Sequence, residues 1–149
     1  MAQNWTFHAY DPSKSKMSRV EQPHNGKYSV KIVNLDDNDS DLEQEVHAMG
    51  GRVYRVSGWI KTEGVEAQPG QIGANLCVPG TYIRSTSLKG TQPWTRVEFY
   101  VRTTPGRNSL KIACRLGYWG STVRGTAWFD DIMIEEDKDV RAADGCPVY

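Results

Sequence analysis

Near the end of the chain, Trp128-Phe129-Asp130-Asp131 sets two bulky aromatics directly before two carboxylates, inside the β-prone stretch from Gly125 to Ile134. Aromatic side chains outside the core are the main functional clue, because an aromatic face can stack on the C–H groups of a pyranose ring. The stretch reads as the last strand of a β-sandwich, but Phe129 and Ile132 sit three apart where a strand period of two needs an even spacing. A bulge or bend at Asp130-Asp131 is therefore expected. Such a kink turns one carboxylate inward, where it needs a cation or several donors. Backbone carbonyls of the Asn25-Gly26-Lys27 turn could complete an oxygen cage for calcium around Asp131. Without a cation, Asp131 could instead cap local backbone amides.

Other aromatics fall outside the expected core. Trp59 and Tyr100 sit on the polar parity of their strands, and Tyr118, Trp119 and Tyr82 lie in turn-rich connections. Several exposed aromatics suggest a binding surface, with packing under a loop as the alternative for any one of them. Asn75, Arg115, Lys111 and Arg102 share the outward parity, and Gln71 and Arg124 stand close to strand ends. Amides and guanidinium groups donate two hydrogen bonds in a plane, which suits vicinal sugar hydroxyls.

Catalysis fits this set poorly. Glycoside hydrolysis needs two carboxyls about 5 to 10 Å apart across a cleft, whereas Asp130 and Asp131 are neighbours that project to opposite faces. There is no Gly-x-Ser-x-Gly elbow, and His8, His24 and His47 lack the i, i+4 spacing of helical metal ligands. No enzymatic activity is expected. Asp37-Asn38-Asp39-Ser40-Asp41 imitates the start of an EF-hand loop, but Leu42 replaces the required Gly and Ala48 the bidentate acid. The segment reads as a solvated acidic loop.

The elements that must position these residues are strands. Trp5–Tyr10, Lys27–Val33, Arg52–Lys61, Gly73–Val78, Trp94–Arg102 and Ser109–Leu116 alternate apolar and polar positions between Gly, Pro and Asn-Gly turns. Ser13–Ser18 and the acidic Leu35–Glu45 read as loops, and 137–149 as a surface tail without apolar period. Short strands without an amphipathic helix between them indicate an all-β, antiparallel two-sheet β-sandwich or jelly roll.

The 149 residues fit a single domain, residues 1–149, with its core over about 5–136. Eighteen basic and eighteen acidic residues cancel, which argues against nucleic acid or an anionic membrane as partner. No apolar run is long enough to span a bilayer and no signal peptide is visible. Cys77, Cys114 and Cys146 match no zinc motif and leave a Cys77–Cys114 bridge open.

In order along the chain, Asn25-Gly26-Lys27-Tyr28-Ser29-Val30-Lys31-Ile32, Tyr54-Arg55-Val56-Ser57-Gly58-Trp59-Ile60-Lys61-Thr62, Leu88-Lys89-Gly90-Thr91-Gln92-Pro93-Trp94-Thr95 and Gly125-Thr126-Ala127-Trp128-Phe129-Asp130-Asp131-Ile132 resemble the jelly-roll carbohydrate-binding modules. The nearest are families four, nine, sixteen and twenty-two, with the galactose-binding-domain-like fold, and family sixteen above all. The resemblance implies a non-catalytic module that binds β-linked polysaccharide of the β-1,4-glucan or mannan type. It implies an attached catalytic domain in a secreted, extracellular parent protein, and a structural calcium at the sandwich edge. Similarity to family sixteen makes Trp128 a platform and Arg124, four positions earlier, a hydrogen-bond partner, with Trp5 as an early platform. Trp59, Trp119, Tyr118, Asn75 and Arg115 complete the expected ligand contacts, and Asp131, Asn25 and Lys27 the expected metal site. The chain departs from the family in lacking an Asn-Gly-Gly-Phe-Glu-like first strand, whose acid helps hold calcium, and in having Arg124 where an amide is usual. The alternative function is a sugar-independent structural or protein-interaction jelly roll, which an unpaired sheet edge would favour.

Overall fold

The computed structural model describes residues 4–139 and 146–149. Its strands are β1 (Thr6–Ala9), β2 (Ser15–Val20), β3 (Ser29–Asn38), β4 (Ser40–His47), β5 (Val53–Glu66), β6 (Ala74–Cys77), β7 (Gly90–Arg102), β8 (Ser109–Leu116) and β9 (Val123–Glu136). They build a four-stranded sheet in the order β1-β4-β8-β6 and a five-stranded sheet in the order β2-β3-β9-β5-β7. All the pairings are antiparallel. This is the two-sheet β-sandwich that the alternation predicts.

Because side chains alternate across a strand, each sheet buries one face. Ile32, Val56, Ile60, Val97, Phe99, Val101, Ala127 and Phe129 of the five-stranded sheet meet Leu42, Leu76, Leu110, Ile112, Cys114 and Leu116 of the four-stranded sheet. Fully burying one large aliphatic or aromatic side chain of this kind contributes about 1.5–3 kcal/mol. Among them runs one polar knot. Buried Asn34 of β3 donates from Nδ2 to the carbonyls of Asn38, Leu116 and Val123 at 3.1, 3.1 and 3.0 Å. Its Oδ1 accepts from the hydroxyls of Ser15 and Ser40 at 2.7 and 2.6 Å. One amide thus ties strands of both sheets together and satisfies groups that burial would otherwise leave costly.

The expected bulge is present. Ser57 faces Met133 but Trp59 faces Asp130, so β9 carries one extra residue there, and Asp131 takes a φ of 52°. The surplus residue restores the parity that the three-residue spacing of Phe129 and Ile132 broke.

Other expectations are corrected. Leu35–Glu45 is no loop: β3 runs to Asn38 and β4 begins at Ser40. In β4, Leu42 and Val46 pack on the core while Asp41, Glu43 and Glu45 take the other parity. The acidic face concealed an ordinary amphipathic strand. Ser15–Val20 is likewise the edge strand β2, pairing β3 from Ser15↔Asn34 to Val20↔Ser29. Of the tail, residues 140–145 lie outside the described residues. Residues 147–149 are docked: Arg102 N–H donates to the Pro147 carbonyl and Tyr149 N–H to that of Arg102, both at 2.8 Å. A Cys77–Cys114 bridge is ruled out by register, since Cys77 faces Ala113 and Cys114 faces Leu76 across β6 and β8. The two thiols therefore point to opposite faces of the sheet, and both are free and buried.

Candidate functional site

Two outer faces carry the expected contact residues, and they differ in how much is left open. On the five-stranded sheet, Trp128 is only 5% exposed. Its indole N–H donates to Gln22 Oε1 at 3.0 Å, and the ammonium groups of Lys31 and Lys61 lie over the ring at 5.5 and 5.1 Å. It is a covered residue, not an open platform. Trp59 is half-buried and stacks on the His24 ring at 3.9 Å and 14°. Trp94 meets the same imidazole edge-on at 5.7 Å. Trp5 is half-buried, packs against the core, and lines an apolar cavity of about 330 Å³ with Tyr28, Leu42, Phe129 and Ile132. Arg124 is engaged by acids: Nη2 donates to Asp36 at 2.9 Å and Nε to Asp37 at 3.0 Å, with Glu66 at 3.8 Å.

The turn that was to cage calcium does lie against the bulge, but with N–H groups. Asp130 Oδ2 accepts from the backbone amides of His24 and Asn25 at 3.0 and 3.1 Å, and Asp131 Oδ2 lies 2.8 Å from His24 Nδ1. Asn25 Oδ1 accepts from Gly26 N–H at 2.9 Å, and Lys27 directs its ammonium to the Tyr28 ring at 5.2 Å. Calcium takes about six to eight oxygens. Of the side-chain oxygens in this set, Asp131 Oδ2 already faces the imidazole and Asn25 Oδ1 the Gly26 amide, so a calcium would have to draw on the carbonyls of the turn. The amide-capping alternative describes the bulge, with Asp130 rather than Asp131 as the cap.

The outer face of the four-stranded sheet is organised by register. His8, Asp41, Arg115 and Asn75 stand in one row across β1, β4, β8 and β6, and Thr6, Glu43, Ala113 and Cys77 form the next row. Arg115 holds Asp39 in a bidentate pair, Nε to Oδ1 at 2.8 Å and Nη2 to Oδ2 at 2.6 Å. Burial pushes Arg115 down, but the Asp39 carboxylate outweighs it and leaves the guanidinium above its ordinary value. His8 Nδ1 lies 3.0 Å from Glu43 Oε2 and 3.3 Å from Asp41 Oδ1, and Lys111 Nζ lies 3.9 Å from Glu43 Oε1. Burial first, then the neighbouring Glu43, pushes the Asp41 carboxyl up to about 8.

Aromatics frame this face. Trp119 and Tyr82 are 76% and 78% exposed and stack on each other at 6.2 Å and 22°. With Gly80, Thr81 and Arg115, Trp119 lines a cleft of about 310 Å³. Tyr118 is buried beneath: its hydroxyl donates to the Thr81 carbonyl at 2.6 Å and its ring lies 4.4 Å from the Arg115 guanidinium carbon. Tyr118 thus supports Arg115 and the 81–82 loop instead of touching a ligand. Asn75 is fully buried and donates to the carbonyls of Gly73 and Gly117 at 3.1 Å each. It secures the turn that carries Tyr118 and Trp119. Gly117 has a φ of 108°, and a Cβ there would stand 2.9 Å from the Ser121 carbonyl and 3.0 Å from that of Asn38, so this turn admits no side chain.

Of the expected ligand contacts, this face therefore brings together Arg115 and Trp119, with Tyr118 and Asn75 behind them. Trp128, Trp59 and Arg124 belong to the other sheet, and Trp5 to the core margin. Sequence reasoning missed His8, Asp41, Glu43 and Asp39, and did not single out Tyr10, which is 86% exposed and donates its N–H to the Asp39 carbonyl at 2.8 Å. The available signal was Asp-x-Glu in β4 facing His8 across β1, legible once both segments are read as strands.

Among known proteins, the sequence matches no family model and no curated protein. Solved structures do share its fold. A family 61 module, TmCBM61, solved in complex with β-1,4-galactotriose, superposes with a TM-score of 0.58 at 20% identity, over 91% of this chain and 90% of that one. The Clostridium thermocellum xylanase 10B CBM22-1-GH10 modules, complexed with xylohexaose, give 0.59 at 15% identity over 90% of this chain and 26% of that one. The enzymatically active domain of bacteriophage CBA120 tailspike protein 4 gives 0.66 at 11% identity over 91% of this chain, and 20% of that one. The chain has the β-sandwich fold of carbohydrate-binding modules, and it spans most of the first of these structures but about a quarter or less of the other two.

Proposed function

We propose that this protein binds carbohydrate chains without acting on them chemically, and that the outer face of the four-stranded sheet is the contact surface. The observation that carries this reading is the stacked pair Tyr82–Trp119, which stays open to solvent beside a cleft floored by Arg115. An exposed aromatic plane offers a surface for the apolar face of a sugar ring. A guanidinium already immobilised by Asp39 and Tyr118 loses little freedom when a hydroxyl bonds to it. His8 in the row of Arg115, Glu43 in the next row and Lys111 in the one beyond it carry polar groups diagonally across three strands, room for a chain rather than a single ring. The sandwich fold shared with modules solved on a galactotriose and a xylohexaose supports the same reading.

The ligand class in this proposal is a β-linked polysaccharide, with β-1,4-glucan and mannan beside xylan and galactan. An attached catalytic domain and an exported parent protein belong to the same proposal. Calorimetric titration with cellohexaose, mannohexaose, xylohexaose and a β-1,4-galactan oligosaccharide tests it. Saturable binding to at least one, lost on Trp119→Ala and Tyr82→Ala together, is expected. No heat with any of them, checked by affinity electrophoresis on the polymers, overturns it.

A further inference from the structure

We infer that His8, Asp41 and Glu43 form a binding site for a divalent transition metal of the zinc class on the outer face of the four-stranded sheet. Backbone pairing makes the site. Asp41 and Glu43 are two apart on β4 and so share a face, and His8 stands directly across from Asp41 on β1. The three ligand atoms lie within 4.8 Å of one another. His8 Nδ1 is 3.3 Å from Asp41 Oδ1 and 3.0 Å from Glu43 Oε2. A tetrahedral zinc bound at its usual ~2.0–2.1 Å separates its ligands by about 3.3 Å, so two edges of the tetrahedron already have the right length.

A cluster of this kind would be ordinary surface acid but for a second feature. Asp41 is 8% exposed, and its Oδ1 is buried with no hydrogen-bond partner among the described residues. The imidazole 3.3 Å away does not meet it with hydrogen-bond geometry. A buried carboxyl oxygen without a hydrogen-bond partner is costly. A cation held jointly with the histidine and Glu43 would supply what it lacks. Imidazole with two carboxylates suits zinc and its neighbours better than calcium or magnesium, which favour oxygen alone. Lys111 at 3.9 Å from Glu43 opposes the cation, while the charge of Arg115 is taken up by Asp39. Three protein ligands leave a fourth position open to water or to a ligand atom.

The test uses the full chain, stripped with chelator and titrated with ZnCl₂ in the absence of sugar by calorimetry and equilibrium dialysis. CaCl₂ is titrated in parallel, and Cys146→Ser serves as an off-site control. The expected result is one zinc bound per chain, kept in the control. His8→Ala and Glu43→Gln should each weaken binding by more than the roughly 10- to 100-fold that loss of an outer partner costs. Both variants replace side chains outside the apolar core, and their circular dichroism and melting temperature without metal must match the parent. Absence of saturable zinc binding overturns the proposal, as does binding retained by either folded variant. Because no sugar is present, the outcome is read separately from that of the carbohydrate proposal.

Discussion

Replacing Trp119 and Trp128 in turn should separate binding from stability. Trp119 is 76% exposed, so in Trp119→Ala the folded chain loses little packing beyond the Tyr82 contact. A sugar ring laid on one side of the indole would cover ~100 Å² of the 150–250 Å² such a side chain offers, or about 2.5 kcal/mol at ~25 cal/mol per Å². Ordering the ring and its neighbours offsets about 0.5–1.5 kcal/mol. The net, ~1–2 kcal/mol, is a 5- to 30-fold rise in Kd. Trp128 is 5% exposed and bonded to Gln22, so Trp128→Ala should cost ~2–3 kcal/mol of stability, toward the low end for a large-to-small change because two lysines can close over the gap. For a domain of this size that is a fall in Tm of about 5–10 °C. Affinity electrophoresis on the polymer identified by titration, with differential scanning calorimetry on the same preparations, reads both quantities. If Trp128→Ala abolished retention at unchanged Tm while Trp119→Ala bound normally, the contact surface would have to move to the five-stranded sheet.

Asn34→Leu should destabilise the fold by ~3 kcal/mol or more, because it removes the one amide that serves the Ser15 and Ser40 hydroxyls and three carbonyls; urea unfolding measures it, and a loss below 1 kcal/mol would show that water takes over those bonds. Burial pushes the Cys77 thiol from 9.0 up to about 12, and Tyr118 from 10.0 up to about 12. Both folded values lie above the unfolded ones, so their contribution is complete below about pH 9 and is lost as pH rises toward 12. Urea midpoints should fall across that window, and less steeply in Cys77→Ala. A midpoint flat from pH 9 to 12 would contradict the burial of both groups.

The fold was legible where apolar residues alternate, as in β5 through β8, and where a violation of parity was itself informative, as at the bulge of Asp130-Asp131. It was illegible at β4 because the outward parity there carries Asp41, Glu43 and Glu45, and composition was weighed over period. Only Leu42 and Val46 mark its inner face. That single misreading removed Asp39, Asp41 and Glu43 from the site, since a solvated loop gives side chains no fixed row. Trp128 illustrates the opposite error. Its parity does point away from the core, as alternation requires, but parity cannot show that residues 21–28 fold back over the same face and bring Gln22 to the indole. Covering by a distant loop is a tertiary event with no local signature. Tyr118 and Trp119 are adjacent and alike in sequence, yet one lies beneath Arg115 and the other in solvent.

The two proposed sites share one face, and this makes a demand that either alone would not. Asp41, a zinc ligand in the proposal, stands beside Arg115 in register, and Arg115 floors the cleft next to Trp119. A divalent cation set one strand away from the guanidinium must raise the positive potential felt by a bound chain and can offer its open position to a hydroxyl. Linkage then requires that any factor by which zinc changes sugar affinity equal the factor by which sugar changes zinc affinity. Couplings of ~1–3 kcal/mol are usual between communicating sites, and two sites in one row should reach at least the lower bound, about fivefold. Titrating sugar with and without saturating zinc, and zinc with and without saturating sugar, gives both factors from the same protein. Equal factors above unity place the two ligands side by side. A sugar affinity indifferent to zinc, with zinc bound and removed by His8→Ala, would place the chain beyond reach of Asp41, on the Tyr82–Trp119 side of Arg115 alone.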